Sequence, residues 1–177
     1  MRKLAVIYLL ISGLPLPVVA GVSLDKALGE VNRFYNQLNF VSDSVHWGRE
    51  DFWATPLEFV QSRGGDCEDF AIAKYMTLRA LGVPMDNLRL IFVNIAPENT
   101  AHMVLGYMAS PGKEPIILDN LTDRILPLSR RRNLEPVYSF NDRGIWLGVN
   151  SKRVGSVDQL GQWQELKMRL RGRVKVN

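Results

Sequence analysis

Cysteine and histidine are scarce in this sequence, which has one cysteine, Cys67, and two histidines among its 177 residues. A single cysteine excludes an internal disulfide, a CxxC redox pair and a cysteine-rich zinc site. Cys67 is therefore either a small buried residue or a thiol with a chemical role. With 46% apolar and 23% charged residues, the composition is that of one globular domain, which excludes a disordered or fibrous chain.

Charged residues are missing between Lys3 and Asp25, and this uncharged run contains a Val-Val-Ala sequence that ends at Ala20. A short basic start, an apolar stretch and small residues at a cleavage point are typical of a secretory signal peptide, which we predict over residues 1–20. A retained inner-membrane anchor is the alternative, although two prolines and a glycine within residues 1–20 weaken a spanning helix. Residues 21–177 are then expected to form a single exported domain.

A large excess of charge of either sign is also missing. Lys and Arg exceed Asp and Glu by 22 to 18 in the full chain, and by 20 to 18 once Arg2 and Lys3 are removed. So small an excess gives no reason to expect nucleic acid as a partner, and export argues against it independently. We interpret the run Arg130-Arg131-Arg132 and the basic residues of the carboxyl-terminal helix as solvated surface, with binding to an anionic surface or to nucleic acid as the alternative.

The first half of the exported domain has helical patterns. Ser23 caps a first helix whose apolar stripe reaches Leu38, and the polar residues 41–50 are expected to form a loop. A capping box at Thr55, with proline at the first helical position, starts a short helix that is expected to end at Gly64-Gly65.

A third helix is predicted from Asp66 to Leu81, and the segments after it are short and rich in apolar and β-branched residues. Residues 156–159 predict a capping box that opens a last amphipathic helix. Because helices precede an antiparallel sheet and one helix follows it, the fold class is α+β. The predicted strands are residues 88–95, 101–109, 115–119, 137–140 and 145–149.

Cys67 lies in the first turn of the predicted third helix. Free backbone N–H groups and the positive end of the helix dipole favour a thiolate there and can hold an oxyanion. The position therefore suits a nucleophile, with Trp53 or Gln61 as a candidate for a second donor or for shaping the site. The alternatives are a small buried side chain for Cys67 and a place in the core for Trp53.

His102 and Asp119 belong to neighbouring strands of a predicted hairpin. If the turn is centred on residues 110–111, the two residues are directly opposed across the strands, and a bulge would shift this register. Asp119 then orients the imidazole of His102, and with Cys67 they supply a nucleophile, a base and an orienting carboxylate. The alternative is a histidine satisfied within the core, because His102 shares its strand face with Val104.

Three carboxylates surround the thiol in sequence, at Asp66, Glu68 and Asp69. Their negative charge raises the pKa of Cys67, so a reactive thiolate needs a compensating cation. Protonated His102 is one candidate, and a hard divalent ion such as Ca²⁺ bound by oxygen ligands is the other. The alternative is that acidic residues in a first helical turn only complement the helix dipole.

Several motifs together resemble a known family. They are FWATPLEF at residues 52–59, GGDCEDFAIAKY at 64–75, AHMVL at 101–105, LDNL at 118–121 and PVYSFN at 136–141. In this order they resemble the bacterial transglutaminase-like cysteine peptidases, and within them the LapG-type periplasmic proteases. The resemblance covers roughly residues 25–150.

The resemblance implies a papain-like, transglutaminase-like core in which Cys67 opens a helix packed on a sheet that carries His102 and Asp119. The implied activity is that of a cysteine endopeptidase with a Cys-His-Asp triad. The same three residues in a transglutaminase would pass the acyl group to a lysine amine, and a noncatalytic binding module of the same fold is a further alternative.

The resemblance also implies a Ca²⁺ cofactor, with Asp66 and Glu68 at the metal-binding positions and Asp69 left open as a further ligand. Family members cut a large surface adhesin near its amino terminus and so release cells from a biofilm. An inner-membrane receptor that senses cyclic di-GMP sequesters them. We therefore expect the same substrate, the same partner and a periplasmic location, while the oligomeric state is not predicted.

Overall fold

The computed structural model describes residues 23–172 of the chain. The predicted signal peptide, residues 1–20, lies outside the described residues, and so do the last basic residues after position 172. Within the described part, no helix is long and apolar enough to cross a bilayer.

Residues 23–172 contain five α-helices and nine β-strands. The helices are α1 (Leu24–Tyr35), α2 (Asp43–His46), α3 (Pro56–Ser62), α4 (Cys67–Ala80) and α5 (Gly161–Leu170). The strands are β1 (Asn39–Phe40), β2 (Gly64–Gly65), β3 (Leu88–Ile95), β4 (Thr100–Tyr107), β5 (Ile116–Asp119), β6 (Thr122–Pro127), β7 (Leu134–Asn141), β8 (Gly144–Leu147) and β9 (Arg153–Gly155).

Seven of these strands form one antiparallel sheet in the order β6-β5-β4-β3-β7-β8-β9. All described helices except α5 precede this sheet in the chain, so the α+β prediction is confirmed. The sequence pattern missed the two edge strands, β6 and β9. Both carry polar or charged residues, and each becomes a strand because one neighbour pairs with it.

Two helix starts follow their predicted caps. The Ser23 side chain accepts from the Lys26 N–H at 3.4 Å, and Thr55 and Glu58 form both bonds of a capping box. However, α3 ends at Ser62, and its C-cap residue Arg63 has a φ of +62°, in the left-handed region. Gly64-Gly65, predicted as the helix end, instead form β2, which pairs in parallel with β1.

Helix α4 is the centre of the fold, since nine of its fourteen residues are buried. It packs against α1 and α3 on one side and against β3 and β4 on the other. The main core lies between these layers and includes Tyr35, Phe59, Phe70, Ile72, Leu78, Leu90 and Leu105. A smaller core covers the opposite face of the sheet and contains Ile91, Val93, Val104, Ile117 and Leu134.

Two predictions outside the main sheet are wrong. Residues 41–50 are not entirely loop, because α2 occupies Asp43–His46. The last helix does not begin with a capping box at residues 156–159, which form a single 3-10 turn that Ser156 caps through the Asp158 N–H. Leu160 is extended, and this backbone conformation separates the turn from α5.

Helix α5 is more than the solvated basic surface that the sequence indicated. Its Trp163 is fully buried and donates through Nε1 to Asp142 at 3.2 Å. Its Arg169 is also buried, donates to the Trp53 carbonyl oxygen and stacks 4.3 Å above the ring centre of Phe52. The helix is therefore joined to the segment that precedes α3.

Candidate active site

Cys67 is the first residue of α4 and is half-buried. Strand β2, just before Cys67, pairs with β1, and the N–H of Val41, the residue after β1, donates to the Gly65 carbonyl at 2.9 Å. The thiol donates to Glu68 Oε2 at 3.0 Å. Burial raises the pKa of Cys67, and the charge and hydrogen bond of Glu68 raise it further, whereas the backbone N–H of Met103 lowers it. In this arrangement Cys67 is a thiol at neutral pH.

His102 and Asp119 are in direct contact. Nε2 of His102 lies 2.8 Å from Oδ1 of Asp119, and both side chains are buried. The same oxygen accepts the Leu121 N–H at 3.0 Å, and Oδ2 accepts from Arg131 at 2.6 Å. Burial alone would raise the pKa of Asp119, but these partners, His102 above all, hold it at about 2. Asp119 is therefore a carboxylate throughout the physiological range.

The route to this contact differs from the prediction. Strands β4 and β5 pair with Leu105 opposite Leu118, and continuing that register places position 121 across from His102. Direct opposition of His102 and Asp119 is therefore wrong by two residues. The pair meets diagonally, which long side chains on one sheet face can do.

Cys67, at the start of α4, lies against β4, the strand that carries His102. No hydrogen bond joins the two side chains in the described residues. The Met103 N–H that acts on the thiol follows His102 directly in β4. Because Asp119 engages Nε2 of His102, Nδ1 is the ring nitrogen without a hydrogen-bond partner within residues 23–172. The nucleophile and the base are thus neighbours in the fold, and the triad itself remains a prediction.

A group of three carboxylates lies beside the thiol. Asp43, Asp66 and Glu68 each offer an oxygen, and these oxygens lie within 4.8 Å of one another. Asp66 and Glu68 were predicted as metal-binding positions, whereas Asp43 was missed. Nothing in the local pattern of residues 41–50 signals a ligand, because α2 and the β1–β2 pair bring Asp43 to Cys67 only in the folded chain.

The donor set of this group fits a hard cation. Asp43 Oδ1 and Asp66 Oδ1 are buried without a hydrogen-bond partner among the described residues. Burial and the neighbouring Glu68 raise the pKa of Asp66 to about 10, and burial raises that of Asp43 to about 6. Carboxylates this close repel one another, so a divalent ion bound by their oxygens relieves both the repulsion and the missing partners.

Asp69, the open candidate for a further ligand, is outside this group of three. Its Oδ1 accepts the Ala54 N–H at 2.7 Å, and Asp43 similarly accepts the Phe52 N–H. Burial raises the pKa of Asp69 to about 8. Asp43 and Asp69, two of the four acidic residues around Cys67, thus hydrogen-bond the segment between α2 and α3.

The two candidates for a second oxyanion donor differ in position. Trp53 is buried and stacks on Phe140 with ring centres 5.6 Å apart, which places the ring in the main core. Gln61 is exposed on α3. Trp53 Nε1 has no hydrogen-bond partner among the described residues. Trp53 is therefore a core residue, which was the alternative to a role as oxyanion donor.

A cysteine that begins a central helix, packed on an antiparallel sheet that carries a histidine–aspartate pair, defines the transglutaminase-like cysteine protease fold. The sequence model of the family described as bacterial transglutaminase-like cysteine proteinase matches residues 17–153. The chain therefore belongs to this family, and the resemblance found in the sequence is confirmed.

Solved structures of LapG from Legionella pneumophila are similar over nearly the whole chain. The EGTA-treated form is 41% identical, with a TM-score of 0.80 over 96% of this chain and 88% of that chain. The calcium-bound form is 42% identical, with a TM-score of 0.77 over 96% of this chain and 89% of that chain. The comparison with curated proteins gives no match. Family and structures together make this chain a calcium-linked cysteine protease of the transglutaminase-like fold.

Proposed function

We propose that this protein is a calcium-dependent periplasmic endopeptidase that cleaves a large surface adhesin near its amino terminus. The observation that carries the proposal is the arrangement around Cys67, a single thiol at a helix start beside the strand of His102 and beside three clustered carboxylates. The 41% identity to a LapG structure supports the same activity.

In the proposed reaction, His102 accepts the Cys67 proton and the thiolate attacks the peptide carbonyl carbon. The backbone N–H of Cys67, free at the first turn of α4, holds the resulting oxyanion. The carbon–nitrogen bond then breaks, the amine leaves with the proton from His102, and a thioester remains on Cys67. Water adds to the thioester, gives its proton to His102, and the free acid leaves as Cys67 regains a proton. Asp119 keeps the imidazole in one tautomer throughout.

Asp43, Asp66 and Glu68 are the residues that would hold Ca²⁺. When bound, the ion supplies positive charge that offsets the carboxylates beside the thiol. Glu68 would have two roles, because it also accepts the hydrogen bond of the Cys67 thiol. Protein residues alone leave Cys67 protonated, so we expect activity to depend on the metal.

We further propose that the protein acts in the periplasm after export and that an inner-membrane receptor for cyclic di-GMP sequesters it. Adhesin release from the cell surface would then follow the level of the nucleotide. These proposals are supported by the family resemblance. Fractionation of cells and co-purification with the receptor's periplasmic domain test them directly.

The central experiment incubates the purified protein with an amino-terminal adhesin fragment, with Ca²⁺ or with EGTA. We expect cleavage by the wild type in Ca²⁺ only, and none by Cys67→Ala in either condition. Mass spectrometry identifies new termini if the acyl acceptor is water and loss of ammonia with cross-linking if it is a lysine amine. Cleavage by Cys67→Ala, or undiminished cleavage in EGTA, would contradict the catalytic or the metal assignment respectively.

A further inference from the structure

Three consecutive arginines follow β6, and the fold treats the middle one differently. Arg130 and Arg132 are exposed, whereas Arg131 is 8% exposed and its Nη2 donates to Asp119 Oδ2 at 2.6 Å. The sequence indicated solvated surface for all three, which is wrong for Arg131. We propose that Arg131 is a positioning residue for catalysis, which holds the Asp119 carboxylate in the orientation that directs Oδ1 to His102.

The backbone around Arg131 is fixed before its side chain reaches the site. The 3-10 turn Leu128–Arg130 ends there, with the Arg131 N–H donating to the Leu128 carbonyl at 2.8 Å. The Arg131 carbonyl in turn accepts the Leu134 N–H at 2.9 Å, where β7 begins in the smaller core. The guanidinium therefore reaches Asp119 from a hydrogen-bonded turn between two strands.

The hydrogen bonds of the guanidinium indicate a role at Asp119 rather than general packing. Asp119 is the one acceptor of the Arg131 side chain among the described residues, and Nη1 of Arg131 is buried without a partner there. An arginine that only stabilised the fold would be expected to satisfy its five N–H groups on several carbonyls. A buried arginine with a single carboxylate partner is instead an ion pair whose geometry depends on that partner.

Arg131 and His102 divide the two oxygens of Asp119. His102 Nε2 contacts Oδ1 at 2.8 Å and Arg131 contacts Oδ2 at 2.6 Å. Rotation of the carboxylate that would release His102 therefore also breaks the contact with Arg131. A charge-assisted hydrogen bond of this kind restrains the orientation of a buried carboxylate more strongly than a neutral donor does.

The other charged groups around Asp119 are Lys74 and Asp123, which reach it through Asn36. Lys74 of α4 donates to Asn36 at 2.7 Å, and Asn36 donates to the Asp119 backbone carbonyl at 2.9 Å and to the Asp123 side chain at 2.8 Å. Apart from His102, Arg131 is thus the side chain of the described residues that hydrogen-bonds the Asp119 carboxylate. Without it, we expect the buried carboxylate to protonate at a higher pH.

The inference rests on the proposed triad, and the single cysteine offers a test that separates the two. In calcium-containing buffer, the rate at which iodoacetamide alkylates Cys67 is measured at pH 7 and pH 4.5, alongside cleavage of the adhesin fragment. His102→Ala and Asp119→Asn test the triad, Arg131→Gln tests the inference, and Arg130→Gln and Arg132→Gln are matched controls. If the triad variants alkylate as fast as the wild type, the proposed function fails, whatever Arg131 does.

For Arg131→Gln we expect cleavage at pH 7 to fall at least about 10-fold. This loss should be smaller than that of Asp119→Asn, which removes the charge of the orienting carboxylate and should lower cleavage by about 10⁴-fold. The loss should be larger at pH 4.5, because removing the Arg131 hydrogen bond raises the pKa of Asp119 and brings its protonation closer to that pH. A purely structural defect would not have this pH dependence. Arg131→Lys, which keeps the charge, should recover part of the activity, and both exposed-arginine controls should stay within twofold of the wild type.

The inference is overturned if the triad variants lose alkylation and cleavage while Arg131→Gln keeps the wild-type rates of both at both pH values. Circular dichroism and melting curves establish that each variant is folded. For Arg131→Gln, a greater loss at pH 4.5 than at pH 7, relative to the wild type, supports the positioning role, and an equal ratio at the two pH values contradicts it. If Arg131→Gln does not fold, Arg131→Lys decides the question, because it keeps the charge but not the planar guanidinium. Cleavage below that of the wild type with an unchanged melting temperature then supports the positioning role, and wild-type cleavage contradicts it.

Discussion

Lys74 provides the sharpest physical test of this structure. It is fully buried in α4, and its amine donates to Asn36 Oδ1 at 2.7 Å. Burial lowers its pKa from 10.5 to about 7, although Asp119 and Asp123 act in the opposite direction. The perturbation is Lys74→Met, which keeps an unbranched side chain of similar length and removes the amine.

The sign of the effect follows from proton linkage. Between about pH 7 and pH 10.5 the unfolded chain keeps a proton on Lys74 that the folded chain has released, so the lysine's penalty to folding shrinks as pH rises. At about 1.4 kcal/mol for each pH unit of pKa difference, the penalty approaches 5 kcal/mol below pH 7 and falls by about 3 kcal/mol between pH 7 and pH 9.5.

The substitution also has a cost, because Asn36 Oδ1 loses its donor, which is worth about 2 kcal/mol. Lys74→Met should therefore be more stable than the wild type by about 2 kcal/mol at pH 7, and the wild type should be the more stable protein at pH 9.5. The assay is urea unfolding of both proteins across this pH range, with Ca²⁺ present and tryptophan fluorescence as the signal.

Lys26→Met is the matched control, because that lysine side chain is 56% exposed on α1. Its difference from the wild type should change by less than about 0.5 kcal/mol over the same range. If the Lys74→Met difference is equally flat, the amine stays protonated in the folded protein and the reasoning from burial is refuted.

Two further predictions concern the site and its support. Asp43→Asn removes charge from the carboxylate group, so the rise in melting temperature on adding Ca²⁺ should be smaller than in the wild type, and an undiminished rise in a calcium titration would contradict the ligand assignment. Arg169→Met removes the ion pair with Glu58 at 3.4 Å and the bond from α5 to the segment before α3. It should lower the free energy of unfolding by about 3 kcal/mol in urea, whereas exposed Arg171→Met should change it little, and equal effects of the two would show that burial of Arg169 is unimportant.

Local sequence determined the parts of this fold that depend on near neighbours. The Thr55 capping box with its proline, the helix that begins with Cys67 and the strand at residues 88–95 all follow from spacing and side-chain type. These patterns succeed because caps and apolar periodicity act within a few residues. They also placed Cys67 at a helix start, with the charge problem that its acidic neighbours create.

Tertiary structure decided what depends on distant residues. The sequence pattern gave no sign that Asp43 would join Asp66 and Glu68, because a one-turn helix and a two-residue strand pair bring it there. Register decided that His102 and Asp119 meet diagonally. Among three identical arginines, only the turn after β6 selects Arg131, because burial is a property of the folded surroundings and not of the residue type.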